Sequence, residues 1–146
     1  MAYDQHGPSN NKIGTVAGYN WVENNIKKFL GQEAVAKEKL ILGIPLYTRT
    51  WWVDENEKVQ SSTVNIKGLS DILPANASRE WNDTLKQYYT EYEKNGKKYQ
   101  MWIEDEKSIK EKIGLVHIYD LAGVAFWEKD REPETIWSMI KEELYK

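Results

Sequence analysis

The chain contains no cysteine. That excludes disulfides and any thiolate-ligated metal. Only two histidines occur, His6 and His117, and nothing around them has the spacing of a metal-ligand set, so the sequence calls for no metal and no cofactor. A run of 18 apolar residues is also lacking, so no membrane-spanning helix is expected. No secretory leader pattern is visible, which says nothing about where a longer parent protein would go. Excess charge of either sign is missing too. Twenty basic residues against 23 acidic ones give a net charge of −3, which provides no electrostatic reason to expect nucleic acid or an anionic membrane as partner. Phenylalanine is scarce, at two residues.

What is present is the other kind of aromatic side chain. Seven Trp and nine Tyr skew the chain toward rings with a polar edge, which suit surfaces that are apolar and hydrogen-bonding at once. Stacking on sugar rings is one use of such a surface; a Trp-rich core is the other. At 146 residues, with 40% hydrophobic and 29% charged residues, the composition is that of an ordinary globular domain.

The organising stretch is Leu40-Ile41-Leu42-Gly43-Ile44-Pro45-Leu46-Tyr47-Thr48-Arg49-Thr50-Trp51-Trp52. It starts as an unbroken apolar run and ends in Tyr, Arg and two Trp. An apolar run without alternation predicts a strand covered on both faces, as in parallel sheets. Ligands bind at the C-terminal ends of such strands. Pro45 inside the run argues against one continuous strand, because proline removes a ladder donor. Met1-Ala2-Tyr3-Asp4 and Leu121-Ala122-Gly123-Val124-Ala125-Phe126-Trp127-Glu128 share the design. Met1–Asp4 is shorter than a typical strand, as though the strand began upstream.

Between these segments the periodicities differ. Gly7-Pro8-Ser9-Asn10-Asn11 has loop chemistry. Val22, Ile26, Phe29 and Leu30 predict a helix over about 16–30, stopped by Gly31. Asp54 to Lys58 is a polar loop. Ile66, Leu69, Ile72 and Leu73 predict a short helix ended by Pro74. Trp81, Leu85, Tyr88, Tyr89 and Tyr92 predict a second helical face. Asn95-Gly96 signals a hairpin turn, with a strand over Tyr99–Ile103. Asp105 is placed to cap a helix from about Glu106 to His117. Glu132-Pro133 opens a last helix, with proline at its first position.

Four of these motifs together, Met1-Ala2-Tyr3-Asp4, Gly43-Ile44-Pro45-Leu46-Tyr47-Thr48-Arg49, Met101-Trp102-Ile103-Glu104-Asp105 and Gly123-Val124-Ala125-Phe126-Trp127, resemble the family 18 glycoside hydrolases, in particular their bacterial chitinase-like and spore-cortex-lytic branch. The resemblance covers nearly the whole chain in the right order. It implies an α/β fold, the C-terminal part of a (β/α)8 barrel: strands six and seven in 1–52, an inserted small α+β domain in 53–104, and strand eight with its flanking helices in 105–146.

The resemblance also implies roles. In that family the substrate's own acetamido oxygen attacks the anomeric carbon, a substrate-assisted route. Tyr3 and Asp4 match the residues that hold this acetamide. Trp127 matches the floor beneath the reacting sugar, and Arg49 a cleft donor to sugar hydroxyls. Tyr47 and Trp102 are further candidates for substrate contact. Each has a plainer alternative: local hydrogen bonds for Tyr3 and Asp4, core packing for Tyr47 and Trp127, packing beneath the inserted domain for Trp102, a surface ion pair for Arg49. Trp51 and Trp52 could line the outer cleft or pack beneath the inserted domain. The family's acid closes a D-x-x-D-x-D-x-E motif, and no such motif occurs here. Glu104 and Asp105 default to helix capping. The implied partner is an oligosaccharide containing N-acetylglucosamine, from chitin or peptidoglycan, and the implied setting of the parent is extracellular, at the cell wall or spore. A carbohydrate-binding module without catalysis, and a structural part that completes a barrel with another chain, remain open. Unpaired barrel edges would favour a homo-oligomer.

Overall fold

The computed structural model describes residues 1–9 and 12–146. The expected loop after Gly7 therefore falls partly, at Asn10 and Asn11, outside the described residues. Helix α1 spans Tyr19–Gly31 and buries Val22 and Ile26. It begins later than its apolar pattern suggests. The Val16 carbonyl accepts the Gln5 N–H (2.8 Å) and the Gly18 N–H goes to Gln5 Oε1 (2.9 Å), so the backbone of 16–18 is committed elsewhere.

The long apolar run is not one strand. It divides into β1, Ile41–Pro45, and β2, Tyr47–Val53, which belong to different sheets. Leu46 lies between them and donates its N–H to the Trp127 carbonyl at 2.7 Å. Beyond the proline the chain leaves the parallel sheet and pairs antiparallel. The sequence holds the warning, since a proline in a central strand breaks its ladder.

Next come β3 (Val59–Asn65), α2 (Leu69–Ile72), β4 (Glu80–Asn82), β5 (Gln87–Lys94) and β6 (Lys97–Ile103). They are followed by α3 (Glu106–Tyr119), β7 (Gly123–Trp127) and α4 (Thr135–Leu144). β1 and β7 form a parallel pair, in register from Ile41 opposite Gly123 to Pro45 opposite Trp127. The other sheet is antiparallel, in the order β3-β2-β6-β5-β4. The expected helix over 81–92 is thus a correction: those residues are β4, a turn and β5. Asn82 Oδ1 accepts the N–H groups of Thr84 and Leu85 and closes the turn. The run Tyr88, Thr90, Tyr92 has a period of two, and its β-branched and aromatic residues fit a pleated sheet. Asn95 and Gly96 both have positive φ, 53° and 71°, the mirror-image turn that joins β5 to β6.

The Met1–Asp4 segment is also not a strand. It runs beside β1, tied by the Ala2 N–H to the Gly43 carbonyl at 3.1 Å. A Cβ on Gly43 would stand 3.0 Å from the Met1 Cα, so a side chain there would push the Met1 backbone away by a few tenths of an ångström.

Two cores result. Leu42, Ile44 and Leu46 join Val22 and Ile26 of α1, Ile109 and Ile113 of α3, and Ile136 and Ile140 of α4. Val64, Leu73, Tyr92, Met101 and Ile103 form the second core, against one face of the antiparallel sheet. Helix α3 starts as expected on Asp105. Its side chain accepts the Ser108 N–H while Ser108 Oγ accepts the Asp105 N–H, a reciprocal cap. Helix α4 starts at Thr135, two residues past the proline expected to open it.

Candidate active site

The turn after Tyr3 holds Asp4 at φ 57°, a left-handed conformation that a short polar side chain tolerates. From there Asp4 Oδ1 accepts a hydrogen bond from Tyr47 Oη at 2.5 Å. The Tyr3 and Tyr47 rings meet edge to face, 6.4 Å apart. Tyr47 is buried, at 5% exposure, and burial followed by its bond to Asp4 pushes its phenol far above the ordinary value. Burial, then the charge of Asp4, raises the Tyr3 phenol as well. Both phenols therefore stay protonated at neutral pH; Tyr47 donates to Asp4, and Tyr3 keeps a hydrogen to donate.

Trp127 ends β7 opposite Pro45 and is 52% exposed. With Met1, Tyr3, Gly43 and Ala125 it lines one hollow on the open side of the parallel pair. The loop that follows is folded back by Arg131. Arg131 Nη2 pairs with Glu128 Oε1 at 2.6 Å, and its Nη1 donates to Asn65 Oδ1 at 3.0 Å. Its guanidinium carbon lies 5.9 Å from the centre of the Tyr47 ring, within cation–π range. Arg131 was not among the candidates from sequence. Within Asp130-Arg131-Glu132 it looks like one more surface charge.

Arg49 lies two residues along β2, on the Tyr47 side of the strand. It donates to Ser61 Oγ at 3.0 Å, and its buried Nε has no protein partner. Directly across the ladder is Trp102, then Tyr89, then Glu80. Residues facing each other across strands share a sheet face, so these four form a row across β2, β6, β5 and β4. The Trp102 and Tyr89 rings are 4.9 Å apart, and with Glu80, Trp81 and Asn82 they line a shallow pocket.

The structure thus brings Tyr3, Asp4 and Tyr47 into contact and puts Trp127 beside Tyr3. Arg49 and Trp102 extend along the face that carries Tyr47. Trp51 is no cleft residue: it is 1% exposed and donates to the Gly14 carbonyl at 2.9 Å. Trp52 packs on Tyr99. Glu104 is wholly buried and paired with Lys112, so it offers no proton to a ligand. His6 bonds to the Thr15 carbonyl and His117 to the Glu143 carbonyl. Among the described residues no three His, Asp or Glu side chains gather as a metal site.

A parallel strand pair backed by helices, an antiparallel sheet beside it, and a Tyr3-Asp4-Tyr47 cluster next to the half-exposed Trp127 define an α/β protein with an aromatic, hydrogen-bonding surface where the two sheets meet. The model for glycosyl hydrolases family 18 matches residues 1–132, and the chain belongs to that family. It is 29% identical to the uncharacterised glycosylase YvbX of Bacillus subtilis over 146 residues, covering 97% of this chain and 40% of that protein. It also superposes on the crystal structure of a chitinase from Chromobacterium violaceum with a TM-score of 0.87 at 24% identity, covering all of this chain and 44% of that one. The spore cortex-lytic enzyme SleL of Bacillus megaterium gives a TM-score of 0.78 at 18% identity, covering 98% of this chain and 32% of that one. The chain therefore spans less than half the length of these relatives.

Proposed function

We propose that this chain supplies one side of a family 18 active site that cleaves a polysaccharide containing N-acetylglucosamine, chitin or peptidoglycan. In this reading it is the C-terminal part of a (β/α)8 barrel. Met1–Asp4 lies in the place of strand six, β1 is strand seven and β7 strand eight, and the insertion is the antiparallel domain that runs from β2 to β6. The observation that carries the reading is the Tyr47–Asp4 hydrogen bond beside the half-exposed Trp127 ring.

The chemistry is the substrate-assisted route that the family resemblance implies. Trp127 gives the reacting sugar a flat apolar floor. Tyr3, Asp4 and Tyr47 hold the acetamido group so that its oxygen lies beneath the anomeric carbon; the gain is one of position, because the attack is then intramolecular. The carbonyl oxygen bonds to the anomeric carbon as the glycosidic bond breaks, and water later opens the cyclic intermediate with net retention. Arg49 and Trp102 contact neighbouring sugars. The leaving oxygen needs a proton, and the motif that would supply the acid is not in this sequence. General acid catalysis contributes about 10²–10⁴-fold, so the chain alone turns over no chitooligosaccharide. The relatives favour a cell-wall or spore setting.

Titration with N-acetylglucosamine trimer, followed by Trp fluorescence and ligand-detected NMR, tests this. Weak binding is expected, about −4 kcal/mol or millimolar, and Trp127→Ala and Asp4→Asn should abolish it. No binding, or binding unchanged in both variants, overturns the reading. A second reading, a part that associates to complete its sheet, draws on Ile41, which is 57% exposed on the open side of β1. Light scattering should find a dimer or larger that Ile41→Glu disperses; a monomer at all concentrations removes that reading.

A further inference from the structure

A sealed chain of polar side chains has no part in the chemistry above. Lys112 Nζ donates to both oxygens of Glu104, at 3.0 and 3.1 Å, and both side chains are fully buried. Ser108 Oγ donates to Glu104 Oε2 at 2.7 Å and Gln87 Nε2 to Glu104 Oε1 at 2.5 Å. Gln87 Oε1 in turn accepts from Thr15 Oγ1. None of the five residues is more than 3% exposed.

Stability alone does not call for such a chain. Burying two charges costs several kcal/mol per ion, and apolar replacements of similar volume are often neutral or stabilising. Where the chain ends is more informative. Thr15 belongs to the segment 14–18 that holds the turn after Asp4. The Thr15 carbonyl bonds to His6 Nδ1 at 2.9 Å, the Val16 carbonyl accepts the Gln5 N–H, and the Gly18 N–H goes to Gln5 Oε1. From the other side, Trp51 Nε1 grips the Gly14 carbonyl. Asp4 is in the left-handed conformation, so the direction of its carboxylate depends on where Gln5 is fixed.

We propose that Lys112, Glu104, Gln87 and Thr15 are positioning residues, a buried relay that sets residues 14–18 and, through Gln5, the Asp4 carboxylate against Tyr47. Helix α3 and strand β5 thereby act on the Asp4 carboxylate from a distance, while Tyr47 of β2 bonds it directly. Its importance for sugar binding rests on the proposed role of Asp4; the relay itself rests only on the hydrogen bonds.

The test is Thr15→Val in the full chain, which keeps shape and removes the hydroxyl, with Thr15→Ser as the conservative variant. Gln87→Met cuts the same chain from the sheet side, should Thr15→Val fail to fold. Amide exchange at Gln5 and Gly18 should rise about tenfold, the size of one lost hydrogen bond, while Ile109 and Ile113 in α3 stay unchanged. The Tyr47 ring resonances should shift, trimer binding should weaken by a similar factor, and Thr15→Ser should restore all three. Unchanged exchange at Gln5 overturns the relay, and so does a uniform rise that includes α3, which is the mark of a merely structural role. If the unsubstituted chain binds no sugar, the proposed function falls while the exchange and ring measurements still decide the relay.

Discussion

β1 and β7 lie parallel and bury Leu42 and Ile44 under α1, α3 and α4, yet their other side leaves Ile41 and Trp127 more than half exposed. The antiparallel sheet covers one face with Met101, Ile103 and Tyr92 and fills its other face with Arg49, Trp102, Tyr89 and Glu80. One region is a half-covered layer with an apolar open side. The other is covered on one face and polar-aromatic on the other, as an antiparallel sheet facing water can be. The candidate site lies where the two meet, at Pro45–Tyr47. A ligand there would find an apolar floor from one region and hydrogen-bonding groups from the other.

The sharpest way to break the comparison is at the joint. Glu104 follows β6 and Lys112 lies on α3, so their pair ties the antiparallel sheet to the helix that backs β1. Glu104→Ala leaves a buried ammonium without its counter-charge and should cost about 3–5 kcal/mol, read as a lowered midpoint in urea. The double variant Glu104→Gln, Lys112→Met should recover most of that loss. If Glu104→Ala is as stable as the parent chain, the two regions are not joined through this pair.

A smaller effect is expected at the start of α3. Asp105→Ala removes one half of the reciprocal cap and should cost about 1 kcal/mol, seen as a drop in Tm. Asp105→Asn should lose much less. Equal losses in the two variants would mean that the charge of Asp105, and not its capping bond, is what matters.

The smallest effect belongs to the open face of the antiparallel sheet. Glu91 accepts from Lys98, Tyr89 and Gln100, with Lys98 first in effect, and its carboxyl is lowered from 4.5 to about 2. A lowered folded value means that its contribution to stability is present above pH 4.5 and is lost as pH falls through about 2. The group is solvent-accessible, so the loss in stability is slight. NMR of the side-chain carboxyl gives the midpoint directly. A midpoint near 4.5 would show that the row of side chains on this face is not held together as described.

Local chemistry was legible in the sequence and distant chemistry was not. The Asp105 cap, the Asn95-Gly96 turn and the α1 stripe depend on neighbours within a few residues. The division of the apolar run depended on how much weight Pro45 deserved beside six apolar residues. Trp81, Leu85, Tyr88 and Tyr92 fit a helical period by coincidence; the Asn82 turn and the alternation at 88–92 decided the outcome. The candidates Tyr3, Asp4 and Trp127 come from the family resemblance together with their position at segment ends. Arg131 could not be read from the sequence, because its partners Asn65 and Tyr47 come from far along the chain. Nor could the Glu104–Lys112 pair, since two residues eight apart look like ordinary surface charges until the fold closes over both.

The order of the strands along the chain has a kinetic consequence. β5 and β6 are joined by two turn residues, and hairpins of this kind close in about 1–10 μs. β1 and β7 pair across the whole antiparallel sheet and α3, so that pairing must await closure of a long loop before any contact rewards it. The hairpin should therefore gain amide protection early in refolding, and the parallel pair last. Pulsed hydrogen exchange, comparing Tyr92 and Met101 with Leu42 and Val124, resolves the order. Until β1 and β7 have paired, Trp127 has no fixed place beside Tyr3, so the hollow that these two rings line is among the last parts of the molecule to be assembled.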